Sequence, residues 1–207
     1  KLWVGLSRET AHQLGTPISS LSAWLELLRI NSPSETIDEM NKDVTRLQVI
    51  ANRFSKIGSK PKLEPANLSA IVENAVDYMH RRTSNKVLYS IEDNAINSTT
   101  RLSEPLIQWV IENLCKNSVD AMNGSGSISI VIGNEPGKIF IELSDTGRGI
   151  DRHNFKRVFH PGFTTKKRGW GLGLSLAHRI IKDYHHGSIM VKSSSAAGTT
   201  FRIELPQ

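Results

Sequence analysis

With one cysteine, Cys115, in 207 residues, the chain cannot form an internal disulfide, and the apolar neighbours of that cysteine suit packing in a reducing compartment. No apolar run approaches the ~20 residues that span a bilayer, and the chain does not open with the succession of a secretion signal. The sequence therefore reads as soluble, with the cytoplasm as its default compartment. It opens at Lys1, without methionine and within a helical pattern, so a fragment lacking its upstream part is expected. Aromatic residues make up 6%, and they do not interleave with the basic ones. The net charge of +6 is spread rather than massed, so nucleic acid is not the expected partner and an acidic protein is the alternative. There is no internal repeat and no low-complexity segment. His80, His153, His160, His178, His185 and His186 lack metal-ligand spacing and read as surface or packing residues.

What is present is ordinary globular composition, 38% hydrophobic and 22% charged, with length for one large domain or two small ones. Leu14, Ile18, Leu21, Leu25 and Leu28 alternate spacings of four and three, a heptad seam on a helix. His12 lies one step, about 100°, off that stripe and is expected to face water. Pro17, one turn on, should kink the helix. Asn31 to Ser34 reads as a turn, and a second seam runs through Ile37, Met40, Val44, Leu47, Ala51 and Phe54. Two helices with such narrow seams bury little alone. Pairing with a second copy into a four-helix bundle completes them; docking on the rest of the same chain is the alternative.

Gly58 to Pro65 combines breakers and lysines and marks the boundary between a hairpin domain, 1–60, and a second domain, 61–207. Leu68 to Met79 is an amphipathic helix through Leu68, Ile71, Val72, Ala75, Val76 and Met79. Val87 to Ile91 and Thr99 to Leu102 read as strands, and Ser103 to Met122 as a long helix with Leu106, Val110, Leu114 and Ala121 inward. Ser127 to Ile132 and Lys138 to Ser144 form a hairpin, Gly173 to Tyr184 is helical, and Ser188 to Ser193 and Thr199 to Leu205 close as strands. Short strand connections favour an α+β sandwich over a parallel doubly wound sheet.

Three stretches of the second domain suit one another chemically. Glu112, Asn113, Lys116, Asn117 and Asp120 recur at helical spacing, which places Asn113, Lys116, Asn117 and Asp120 on one polar face whose amide oxygens could hold Mg²⁺ beside phosphates, while Leu114 packs. Asp145, Gly147 and Gly149 follow an apolar strand; a carboxylate there can accept from the exocyclic amine of adenine while the glycines turn the backbone near a ligand. Gly169, Gly171 and Gly173 open a helix, whose free amides and dipole favour anionic oxygens. The spacing is neither a Walker loop nor a Rossmann fingerprint.

In this order, ENLCKNSVDAM resembles the N box, DTGRGI the G1 box, Phe155 to Phe163 with Thr164, Thr165 and Lys166 the F box and lid, and GWGLGLS the G2 box of sensor histidine kinases. AHQLGTPISSL resembles their H box. The likeness covers essentially the whole chain. It implies a dimerisation and histidine-phosphotransfer hairpin, forming a dimeric four-helix bundle, followed by an α/β sandwich ATP-binding domain of the type shared with Hsp90 and gyrase. It further implies that His12 is the phosphoacceptor, that Asn117 is the magnesium ligand with Asn113 and Asp120 beside it, and that Lys116 or Lys166 steadies phosphate charge. Asp145 would read adenine, and Gly147, Gly149, Ile150, Gly169, Gly171, Leu172 and Gly173 would shape the phosphate contacts and lid hinges. Phe155 and Phe159 would pack the lid, and Thr164 and Thr165 would lie where it approaches the γ-phosphate.

A glutamate that activates water in related ATPases is replaced by Asn113, and an amide cannot take that proton. The family's frequent acidic residue after the histidine is Gln13 here, which accepts a hydrogen bond but is no base. Trp170 stands in the glycine box where a small residue is common. Thr16 falls where the family often places the residue that orients water for dephosphorylating the partner; a hydroxyl bonded to its own helix is the plain alternative. The expected activity is an ATP- and Mg²⁺-dependent homodimeric protein-histidine kinase that passes phosphoryl to a response regulator receiver domain and can also act as its phosphatase. It would be the cytoplasmic portion of a membrane-anchored bacterial sensor. The alternative is a nucleotide-sensing scaffold made catalytically weak by Gln13.

Overall fold

The computed structural model describes residues 18–30, 37–38, 40–41, 44–45, 47–48, 61–165 and 171–207. His12, Gln13, Thr16, Lys166, Gly169 and Trp170 lie outside these, as do the expected turn at Asn31 to Ser34 and the seam positions Leu14, Ala51 and Phe54. The chain divides into two compact units, Lys1–Pro61 and Lys62–Gln207.

In the first unit residues 18–30 are helical, and so are the described positions between 37 and 48. Ile18, Leu25, Ile37 and Val44 form one buried cluster, each pair a heptad apart. Ser22 accepts from Gln48 Nε2 at 2.8 Å and donates to the Ile18 carbonyl at 3.1 Å, linking the two helical segments. The alternate seam positions behave differently. Leu21, Leu28, Met40 and Leu47 remain between 46% and 49% exposed. A buried leucine contributes ~1.5–3 kcal/mol, so half of each seam contributes little within this unit.

The second unit is built on a mixed five-stranded sheet in the order β2-β4-β5-β7-β6. The strands are β2 (Val87–Asp93), β4 (Gly126–Glu135), β5 (Lys138–Asp145), β6 (Ser188–Ser195) and β7 (Gly198–Pro206). Only β2 and β4 pair in parallel, because β3 (Thr99–Leu102) and a long helix intervene between them. The other pairs are antiparallel. Ile139, Ile141, Leu143 and Asp145 of β5 are buried, as are Thr199, Phe201, Ile203 and Leu205 of β7, the alternation expected of a sheet covered on one face. Helices α1 (Leu68–His80), α2 (Glu104–Ala121) and α3 (Gly173–Arg179) supply the second layer. Helix α1 buries Leu68, Ile71, Val72, Ala75, Val76 and Met79. On the open face, Arg202 stacks over Phe140 and donates to Glu142 at 2.6 Å and Glu204 at 2.8 Å, which ties β5 to β7.

Two expectations need correction. Glu64 and Pro65, assigned to the linker, belong to β1 (Glu64–Asn67), which pairs with β3 in a separate two-stranded sheet where an edge strand tolerates proline. Ala121 is half-buried rather than inward. A third difference is local: α3 continues as a π-helical turn, Ile180–Tyr184, with the His185 amide reaching back to the Ile180 carbonyl at 3.2 Å.

That turn places His185 in the core, where its Nε2 accepts from the Ser103 amide at 3.0 Å and its Nδ1 donates to the Ile180 carbonyl at 2.8 Å. Both nitrogens are used only if the ring is neutral, and burial pushes its pKa below the ordinary value of 6.5. The unfolded chain therefore binds the proton first, so stability is full above pH ~6.5 and declines as pH falls through the window down to the folded value. Urea midpoints measured from pH 7.5 to pH 5.5 should fall for the wild type and fall less steeply for His185→Gln, although that variant starts ~1–3 kcal/mol lower. Equal slopes would refute the assignment.

Candidate functional site

Helix α2 has Pro105 in its first turn and buries Leu106, Ile107, Val110, Ile111, Leu114, Cys115 and Ser118. Its remaining face, Asn113, Lys116, Asn117 and Asp120, opens on a cleft of about 1000 Å³. Glu112, off this face, is buried and accepts from Gln108 Nε2 at 3.0 Å. One residue is 100° of turn, enough to carry it off the cleft. Burial, then the charge of Glu112, pushes the Cys115 thiol up to about 12, so it is no nucleophile at neutral pH.

Strand β5, central in the sheet, delivers Asp145 to the opposite wall. Its Oδ2 accepts from Ser118 Oγ at 2.8 Å, and its Oδ1 from the Gly147 amide at 2.8 Å and the Thr199 amide at 3.3 Å. A carboxylate has about four acceptor positions, so these bonds leave about one for a ligand. The turn that follows is pressed between two elements. A Cβ on Gly147 would lie 2.7 Å from Ala121 Cβ, and one on Gly149, where φ is 77°, would run into the Ser195 carbonyl. The Ile150 amide donates to Ser194 Oγ at 2.7 Å.

The third wall is the start of α3. Gly171, at φ 63°, lies against the backbone of Gly162 and Phe163, and its carbonyl accepts from the Gly162 amide at 3.1 Å. A Cβ on Gly173 would come within 3.4 Å of Asn113 Oδ1. Arg148 and Thr165 also line the cleft, Arg148 donating to Thr165 Oγ1 at 3.0 Å. Phe159 packs edge-on to Phe201 and tilted on His178, with ring centroids 6.3 Å and 5.7 Å apart.

One cleft thus gathers Asn113, Lys116, Asn117, Asp120, Asp145, Gly149, Ile150, Thr164, Thr165, Gly171, Leu172 and Gly173. Gly147 stands behind Asp145 and holds it. The sequence reading missed Ser118, Arg148, Ser194 and Thr199, since isolated hydroxyl and basic residues carry no pattern. Asn113 Nδ2 is buried without a hydrogen-bond partner, a donor suited to an anionic or carbonyl oxygen. Among the described residues no three His, Cys, Asp or Glu side chains cluster as a metal site. A divalent ion here would take few protein oxygens, such as the Asn117 amide, and fill its shell from phosphates and water, which suits magnesium.

Comparison with known proteins gives a consistent set of relatives. Residues 102–207 match the family described as histidine kinase-, DNA gyrase B- and HSP90-like ATPases. Sporulation kinase D of Bacillus subtilis (strain 168) is 29% identical over 97% of this chain and 41% of its own length. The chain spans less than half the length of the curated relatives it matches. The catalytic domain of histidine kinase ThkA, nucleotide free, shares the fold with a TM-score of 0.65 and 25% identity over 70% of this chain and 96% of that one. The same kinase solved in complex with response regulator protein TrrA has a TM-score of 0.63 at 20% identity, covering 98% of this chain and 61% of that one.

The glycine geometry makes a contrast. Gly149 and Gly162 share a left-handed backbone, at φ 77° and 82°, but only Gly149 has atoms where a Cβ would go. Gly162→Ala should cost only the left-handed strain of ~1–2 kcal/mol. Gly149→Ala should cost clearly more and lower the melting temperature further. Equal losses would show that the turn yields freely.

Proposed function

Because the chain belongs to the histidine kinase-, DNA gyrase B- and HSP90-like ATPase family, we propose that it is the core of a two-component sensor protein-histidine kinase. It binds Mg-ATP in the cleft of the second unit, phosphorylates His12 and passes the phosphoryl group to an aspartate of a response regulator receiver domain. The observation that carries this reading is the chemistry at α2. Asn113 lines the cleft where hydrolysing relatives have glutamate, while the neighbouring Glu112 is buried against Gln108. With an amide in place of that glutamate, water is poorly activated from this position and a histidine nucleophile is favoured.

Phosphoryl transfer needs positioning and charge neutralisation more than covalent help. Asp145 would accept from the adenine amine, and Lys116 or Lys166 and the amides at Gly171 to Gly173 would meet phosphate oxygens. Magnesium, held by Asn117, would neutralise charge on the phosphates. Neutral imidazole at His12 is a competent nucleophile near pH 7. As its nitrogen bonds to the γ-phosphorus, the bond to the bridging oxygen breaks and ADP leaves. The ring proton then goes to solvent, because Gln13 can accept a hydrogen bond but cannot take up a proton. Thr16 would orient water when the partner is dephosphorylated.

The partners follow from surface and likeness. Leu21, Leu28, Met40 and Leu47 offer a half-exposed seam to a second copy, completing a four-helix bundle. ThkA has been solved with a response regulator protein, which supports such a partner here. No helix among the described residues is long and apolar enough to cross a membrane; a membrane anchor and sensor are assigned to a part of the protein outside this sequence, and this portion to the cytoplasm. Gln13 favours one rival, a nucleotide-sensing scaffold with little kinase activity.

Incubation with γ-labelled ATP and Mg²⁺ should give acid-labile, alkali-stable label on the wild type and none on His12→Ala or Asn117→Ala. Nucleotide binding without label would favour the scaffold, and steady phosphate release independent of His12 would favour a hydrolase. Light scattering should report a dimer for the wild type and a monomer for Leu21→Glu combined with Leu47→Glu. A dimer surviving both charges would exclude the seam as the interface.

A further inference from the structure

Resting on the ATP reading above, we propose that Lys156 and Arg157 draw the anionic nucleotide towards the cleft, setting how fast it enters rather than how tightly it is held. Taken over the whole chain the net charge of +6 looks spread, but counted by segment it is massed. Of the 26 lysines and arginines and the 20 aspartates and glutamates, residues 148–168 hold seven and one, leaving nineteen of each for the rest of the chain. Lys166, Lys167 and Arg168 lie outside the described residues; Arg148, Arg152, Lys156 and Arg157 lie within them.

On the open face of the sheet, cations are answered locally: Lys138 and Arg202 reach Glu204, and Lys192 reaches Glu142. Among the described residues no carboxylate pairs with Arg148, Arg152, Lys156 or Arg157, so their field extends into solvent. The lining of the cleft does not supply that attraction by itself. Lys116, Arg148 and Arg152 there are matched by Asp120, Asp145 and Asp151. A nucleoside triphosphate stays anionic with magnesium bound, and a balanced lining exerts no net pull on it at a distance. Lys156 and Arg157 stand next to that lining rather than in it, and both are exposed. Arg157 rests on two lining residues: its Nη1 donates to Asn154 Oδ1 at 3.4 Å, and its guanidinium lies 5.4 Å from the centroid of the Phe163 ring. Lys156 precedes it at the start of the 3-10 turn Arg157–Phe159. From that place they act through their field, which reaches ~8 Å at physiological salt and ~30 Å at 0.01 M.

Stopped-flow mixing of the 207-residue chain with Mg²⁺ and a fluorescent N-methylanthraniloyl ATP tests this by separating association from dissociation. At about 0.02 M salt, Lys156→Gln combined with Arg157→Gln should slow association about threefold to tenfold and leave dissociation within about twofold of the wild type. Arg157→Lys, which keeps the charge and gives up the planar fork, should associate at the wild-type rate. At about 0.5 M salt the wild type and the double variant should converge. A loss that appears in dissociation, or that survives high salt, would show that the pair holds structure or ligand rather than steering it, and the proposal would be wrong. If the wild type binds nucleotide and the double variant associates as fast at low salt, the proposal is equally wrong and the patch is left for an anionic macromolecule. If the wild type binds none, the ATP reading fails first and takes this inference with it.

Discussion

A carboxylate buried in a protein interior is costly unless hydrogen bonds replace its water, and the second unit is arranged around satisfying one. Asp145 lies at the end of the central strand, and its three bonds come from three separate elements: Ser118 on α2, Gly147 in the following turn and Thr199 on β7. Each donor arrives only if its element is in place. The helix must bury its Leu114 side, the turn must fit against Ala121 and Ser195, and β7 must keep its register with β5. Fold and cleft are thereby one problem, because the contacts that position Asp145 are also those that close the sandwich.

Much of this fold was legible in periodicity. Helix α1 could be read because six apolar residues at helical spacing carry the whole inward face. Strands β5 and β7 could be read because their alternation is strict. Strand β1 could not, since Glu64, Pro65, Ala66 and Asn67 show no alternation and one of them is a strand breaker. Its pairing with β3 is a tertiary decision. Spacing also set the edge of the polar face on α2, since Asn113, Lys116, Asn117 and Asp120 line the cleft while Glu112, one residue away, is buried beside Gln108.

The cleft was legible where residues recur in glycine-rich or amide-rich groups, and illegible where single short hydroxyls do the holding. Ser118, Ser194 and Thr199 look like any others in the sequence, and their importance comes from a geometry that brings residues far apart in the chain together. The same holds for His185. A lone histidine reads as a packing residue, but that it bridges the start of α2 and a π-helical turn depends on one extra residue in the helical repeat. Sequence patterns report what repeats, and hydrogen-bond closure in the interior does not repeat.

The lining of the cleft is built on two different physical principles. Around Asp145 the contacts come from backbone amides and short side chains, which lose little entropy on ordering and allow few alternative arrangements. Elsewhere in its lining stand Lys116 and Arg148, long side chains whose charge acts over distance and tolerates displacement, together with the buried amide of Asn113. Under the proposed function, a rigid part that discriminates and an adaptable part that follows charge is what phosphoryl transfer requires. The base must be held in one register while the phosphates change geometry and lose a group. The order of elements along the chain serves that division. The rigid part sits on the central strand, where pairing on both sides fixes it.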